Sequence, residues 1–278
     1  MNFNWFESFI FGLISGISDV LPVSAQAHKA ILLKIFGAGG EDPAMRLVIH
    51  LATLGALYYG CSNHIMRIVR QRRLSKIPKK KRKRPVDTRT LMEYKLLIFI
   101  AIPVVLSFFF YETTTKWDYS LNIMAVFMVI NAAILFLPGL VATANKDARS
   151  MSSLDGVLMG LGGALAIIPG VSSVATITSI ASVRGAERTF ALNLTYLIQM
   201  LITAGLIIFD FVAISHAGTF TFSFGILFSY LLAAIGSFAG TFLGMKAMRT
   251  LAVNIGYGGF AFYSLGAALF SFILYLMV

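Results

Sequence analysis

The chain carries a single cysteine, Cys61, among its 278 residues, which excludes an intramolecular disulfide framework. Charge is also scarce. Only 13% of residues are charged against 58% hydrophobic, too apolar for an ordinary soluble domain. Residues Met1-Asn2-Phe3-Asn4-Trp5 lack a basic segment or a cleavage site, which argues against a removed signal peptide. Carboxylates are few, 12 Asp and Glu beside 23 Lys and Arg, and the excess of +11 is unevenly placed.

What is present is long apolar sequence. Leu91–Tyr111, Leu121–Val141, Thr189–Val212, Phe224–Met245 and Gly256–Val278 approach the roughly 20 residues that span a bilayer core. A further span lies near Ala44–Cys61. Eleven basic residues from Arg67 to Arg84 fall in one connection, about residues 63–90. The run Lys79–Arg84 matches nuclear-import and nucleic-acid motifs. Between two spans it reads instead as a cytoplasmic loop under the positive-inside rule, able to touch anionic lipid, with no nucleic acid expected.

Two apolar segments are broken by proline–serine turns: Leu21-Pro22-Val23-Ser24-Ala25-Gln26-Ala27-His28 and Ile168-Pro169-Gly170-Val171-Ser172-Ser173. Polar, broken backbone at membrane depth survives only where protein buries it or where it lines a cavity. Charge parity then fixes the path. A single crossing by 154–183 would put Arg184 and Arg188 on the side opposite Lys146 and Arg149. A segment that dips in and returns keeps all four cytoplasmic. The same reasoning applies to the first turn. Gly12-Leu13 before Leu21-Pro22, and Gly160-Leu161 before Ile168-Pro169, add a weak local likeness. The expected fold is an all-α integral membrane protein with an inverted-topology repeat. Residues 1–142 and 143–278 each contribute a re-entrant helical hairpin (about 9–36 and about 154–183) and three transmembrane helices.

Helix ends meeting at mid-membrane attract anions through free N–H groups, and Ser24, Ser172 and Ser173 add hydroxyl donors. Asp19 and His28 are ionisable groups next to a broken helix, a functional position by default. If the Pro22 turn brings them together, Asp19 orients or charges His28 for proton transfer. The plain alternative is a His28 that caps carbonyls or faces water. Lys29 and Lys34 read as snorkelling to the outer interface. His50, Asn131, Asn193 and Gln199 read as inter-helix hydrogen-bonding groups, and Gly236, Gly240 and Gly244 as a packing stripe. Gly160, Gly162, Gly163 and Gly170 permit close approach of a helix or of a ligand.

The residues from Gly12 through Asp19 to His28 resemble the first motif of the bacterial undecaprenyl-diphosphate phosphatases, the UppP or BacA family, approximately E-G-x-T-E-F-L-P-x-S-S-T-G-H. Pro169-Gly170-Val171-Ser172-Ser173-Val174 resembles the second, P-G-x-S-R-S-x-x-T. The resemblance implies a multi-pass protein of the bacterial cytoplasmic membrane that removes the terminal phosphate of a polyprenyl diphosphate. That reaction recycles the carrier lipid for peptidoglycan synthesis and is linked with bacitracin resistance. It implies His28, Asp19, Ser24 and Ser172 as catalytic residues, and Ser15, Gln26, Gly170, Ser173 and Thr176 as substrate contacts. It also implies a divalent cation, Mg or Ca, on Asp19.

Ser24, His28 and Ser172 match the motifs. Ser15 and Asp19 replace the two glutamates, Ser173 the arginine and Val174 the following serine; Ile177 stands at the threonine position beside Thr176. Phe262-Tyr263-Ser264 occupies a place where the family tends to have tyrosine then arginine. Mg²⁺ usually takes one or two carboxylates and Asp19 supplies one. Phosphoryl transfer wants positive charge where Ser173 stands. Two readings therefore compete: a divergent phosphatase using His28 with Ser24 or Ser172, and a non-hydrolytic carrier or flippase for a polyprenyl phosphate or diphosphate. A structural or regulatory subunit, the third class, leaves the paired turns unexplained. A homodimer is compatible with each.

Overall fold

The computed structural model describes residues 3–115, 120–141, 145–217, 223–254 and 256–277. The expected repeat boundary at 142/143, residues 218–221 of the Lys/Arg-free connection, and Val278 lie outside the described residues. Among those described, eleven α-helices run in order: α1 Trp5–Val20, α2 Ala25–Ile35, α3 Pro43–Ser75, α4 Thr88–Ser107, α5 Tyr111–Thr115, α6 Leu121–Phe136, α7 Ser153–Ala164, α8 Ser173–Val183, α9 Arg188–Ala217, α10 Phe224–Asn254 and α11 Gly258–Met277. Six described helical stretches are long and apolar enough to cross a membrane: Pro43–Ser75, Thr88–Thr114, Leu121–Leu140, Arg188–His216, Phe224–Ala252 and Gly258–Met277. These coincide with the six expected spans.

Local chemistry sets the starts. Asn4 with Glu7, and Ser152 with Asp155, form capping boxes; Asp42 caps α3 with Pro43 in its first turn, and Asp87 caps α4. The basic connection is shorter than expected. Helix α3 continues to Ser75 and carries Arg67, Arg70, Arg72 and Arg73 on it, since Arg and Gln are good helix formers.

The two broken segments become two helix pairs, α1–α2 and α7–α8, and each pair begins and ends at one end. The Phe3 and Phe36 rings lie 5.3 Å apart at the base of the first pair. At the base of the second, Arg184 bonds Asp155 at 2.5 Å and Lys146 bridges to Ala186. The first base adjoins the N-terminus of α3. The second adjoins the N-terminus of α4, where Arg89 meets Asp147 at 3.3 Å.

Helix α1 lies on α10, and α7 on α4. Both contacts depend on small residues. A side chain at Gly12 or Gly16 would strike the α10 backbone, and one at Gly236 or Gly240 the α1 backbone. On α7, a Cβ at Gly160 would come 2.5 Å from the Ile100 carbonyl. Helix α3 packs on α9, and α6 on α11.

Candidate functional site at the paired turns

The tips of the two helix pairs meet and are stitched to each other. Helix α1 ends at Val20 because Leu21 turns extended ahead of Pro22 (φ −94°, ψ 158°), as residues before proline do. Ser24 caps α2 by accepting from the Ala27 N–H, and Ser172 caps α8 by accepting from the Ala175 N–H, both at 3.3 Å. Each capping hydroxyl also reaches the other turn. Ser24 Oγ accepts from the Gly170 N–H at 3.1 Å, and Ser172 Oγ donates to the Leu21 carbonyl at 3.3 Å. Gly170 sits at φ +97°, and a Cβ there would lie 2.6 Å from Phe127 and 2.7 Å from the Met124 carbonyl. Only glycine fits.

Asn131 of α6 completes the junction. Its amide donates to the Pro22 carbonyl and to Ser264 Oγ, both at 3.2 Å, and its oxygen accepts from the Ser172 N–H at 3.0 Å. The sequence marks Asn131 as an inter-helix group; its position between the turns needs the fold.

The remaining candidates point in several directions. Ser173 Oγ donates to Gln199 Oε1 at 2.5 Å, and Thr176 Oγ1 bonds back to the Ser172 carbonyl. Ser15 is buried with its hydroxyl on the Phe11 carbonyl at 2.6 Å. Gln26 lines a small cavity of about 40 Å³ between α2, α4, α7 and α9, with its buried Oε1 lacking a hydrogen-bond partner. A cavity of that size holds one or two waters.

His28 faces the other way, into a cavity of about 470 Å³ lined by Ile14, Ile17, Leu21, Val23, Phe260 and Tyr263 among others. Of the nine candidates it alone lines this cavity. Its Nδ1 lies 2.6 Å from the Ser24 carbonyl and donates there, so in the neutral ring Nε2 accepts from the Tyr263 hydroxyl at 2.7 Å. Asp19 is elsewhere, on the α1 face toward α3, 3.5 Å from Thr53 Oγ1. The condition for an Asp19–His28 pair is not met: Asp19 turns to Thr53 and His28 to Tyr263.

Lys29 corrects a second expectation. It is buried and sits 3.4 Å from Glu41 rather than snorkelling, while Lys34 is exposed. The metal reading meets a plain donor test. Asp19 has a threonine hydroxyl as its hydrogen-bond partner and Lys29 and His50 acting on it, which is not the hard-oxygen shell of a divalent cation. Among the described residues no three His, Cys, Asp or Glu side chains converge to hold one. The residues around Asp19 do not fit that group.

Outside the spans, two carboxylates are tuned by hydrogen bonds. Asp87 is held below the ordinary range first by the Thr90 hydroxyl. Burial pushes Glu187 up, but the Thr189 and Phe190 N–H groups outweigh it and hold the carboxyl low.

Comparison with known proteins shows the family. The family described as bacitracin resistance protein BacA matches residues 8–270. The undecaprenyl-diphosphatase of Nocardioides sp. (strain ATCC BAA-499 / JS614) is 26% identical over 268 residues, covering 95% of each chain. That of Renibacterium salmoninarum is 26% identical over 277 residues, covering 97% of this chain and 95% of its own. That of Alkaliphilus metalliredigens is 26% identical over 250 residues, 88% of each. These nearly full-length matches lead to one assignment: the chain belongs to the bacitracin resistance protein BacA family of undecaprenyl-diphosphatases.

Proposed function

We propose that this protein binds the phosphate or diphosphate head group of a polyprenyl carrier lipid beside the paired turns and hydrolyses it slowly or not at all. The observation that carries this reading is the 470 Å³ cavity, mostly apolar, with the hydrogen-bonded His28 and Tyr263 in its wall beside the turns. An apolar cleft with a few placed polar groups suits an isoprenoid chain. The hydroxyls of Ser24 and Ser172 are held in caps and cross-links, so neither is poised as a nucleophile. Where the family motif has arginine, Ser173 donates to Gln199 and supplies no positive charge.

The hydrolytic alternative has an observation of its own. His28 presents a neutral Nε2 to a hydroxyl, which is the geometry of a general base.

Carrier function draws on the packing. The α1–α10 contact has its counterpart in α7–α4, and α3–α9 and α6–α11 pair like with like, as a two-fold exchanging 1–142 with 143–278 requires. With bases at opposite ends, the two helix pairs act as re-entrant hairpins of an inverted repeat, suited to alternating access. The basic segment to Arg84 then lies against the anionic cytoplasmic leaflet of a bacterial plasma membrane.

Phosphate release from undecaprenyl diphosphate by purified protein, with Mg²⁺ present, tests the reading. Little or no release is expected, together with saturable binding of farnesyl phosphate that weakens in His28→Ala. Robust turnover abolished by His28→Ala overturns it.

A further inference from the structure

Away from the turns, α3 and α9 are joined by charge. Arg46 Nε donates to Asp210 Oδ1 at 2.5 Å, and His50 Nδ1 stands 2.6 Å from Asp210 Oδ2. Asp210 is wholly buried and the His50 side chain is 5% exposed. A guanidinium can take both carboxylate oxygens in a fork. Here it takes one, and the second oxygen is given to an imidazole.

The surroundings sharpen the point. Lys29 of α2 and Glu41 of the preceding turn act electrostatically on this group, as does Asp19 of α1; Tyr111 of α5 acts on Arg46. Helix α10 presents hydroxyls, Ser237 and Thr241, bonded around Thr53. Asp42 stands one turn outward, engaged by Tyr230 and the Ala44 N–H. Two fixed cations, Lys29 and Arg46, therefore face three carboxylates, Asp19, Glu41 and Asp210.

We propose that the His50–Asp210 pair, with Arg46 fixing the carboxylate, is a proton-binding site linked to anion binding at the first turn. His50 donates through Nδ1–H to Asp210, so the exchanging proton, taken from water, adds to the Nε2 lone pair. A phosphate group bound near His28, the neighbour of Lys29, adds negative charge to the cluster and raises its proton affinity; departure of the anion releases the proton. The linkage rests on the phosphate-binding reading above, whereas the proton site rests on its own geometry.

The test is ¹⁵N NMR of histidine-labelled protein in lipid nanodiscs between pH 5 and 9. The His50 signal is identified by its loss in His50→Gln, or as the one that remains in a His28→Asn, His64→Asn, His216→Asn background. We expect one protonation step at His50, with proton affinity reduced in Asp210→Asn and increased in Arg46→Gln. Saturating farnesyl phosphate should increase it by roughly fivefold or more, the usual scale of site coupling. An invariant His50 signal overturns the site. So does a step that neither variant displaces, the behaviour of a purely structural staple. A step that bound farnesyl phosphate leaves in place overturns the linkage. Failure of farnesyl phosphate to bind, with the step intact, sinks the phosphate reading and supports the proton site alone.

Discussion

The two turns share a plan and differ in chemistry. Both end a helix at a proline and restart it with a capping serine, and each serine reaches across to the other turn. The first helix pair carries Asp19, His28 and Lys29 at its tip. The second has no ionisable side chain between Asp155 and Arg184; its turn hydroxyls, Ser172, Ser173 and Thr176, are closed on Gln199 and on backbone carbonyls. In the proposed function the first is the pair that meets a ligand. The second is a scaffold that holds it in place.

That division predicts where substitution does most structural damage. Gly170→Val should have the largest effect. It forces a branched side chain into φ +97° and drives its Cβ against Phe127 and the Met124 carbonyl. Strain and overpacking together cost about 3 kcal/mol or more. Thermal unfolding in detergent should show a collapse of Tm. A Gly170→Val protein as stable as the parent would mean that the second turn is not the rigid partner.

A smaller contrast separates the serines. Ser24→Ala removes a cap and leaves the buried Gly170 N–H without its acceptor. Ser172→Ala removes a cap and frees a carbonyl at Leu21. Orphaned N–H groups are tolerated less well than under-satisfied carbonyls. Denaturant unfolding should show losses of about 2 to 3 kcal/mol for Ser24→Ala and about 1 to 2 for Ser172→Ala. Equal losses would remove the asymmetry between the two turns.

Much of this was legible in the sequence because its determinants are local. Span lengths and the proline breaks require only neighbours. The direction of side chains across a break is not local. Asp19 and His28 are close in sequence, yet the turn sends one toward α3 and the other toward α11. Partners 160 residues apart, such as His50 and Asp210, become visible only once α3 lies on α9. Asn131 likewise reads as one more polar residue in a span until two turns close around it.

The least disruptive probe lies at the rim of the second helix pair, where its ionisable groups are confined. Glu187 precedes α9 and accepts from the Thr189 and Phe190 N–H groups at 2.8 Å, and these bonds hold its carboxyl low against the opposing effect of burial. A carboxyl lowered in the folded state contributes stability above its unfolded pKa, ordinarily about 4.3, and loses it as pH falls through the folded value. The parent should therefore lose a small part of its Tm below about pH 4 that Glu187→Gln lacks at every pH, since the amide cannot ionise. The group is partly exposed, so solvent screening keeps the difference to about a degree or two. If the two proteins show the same acid sensitivity, the low-pH response comes from the charges buried in the first helix pair and the α3–α9 interface, and the rim contributes nothing.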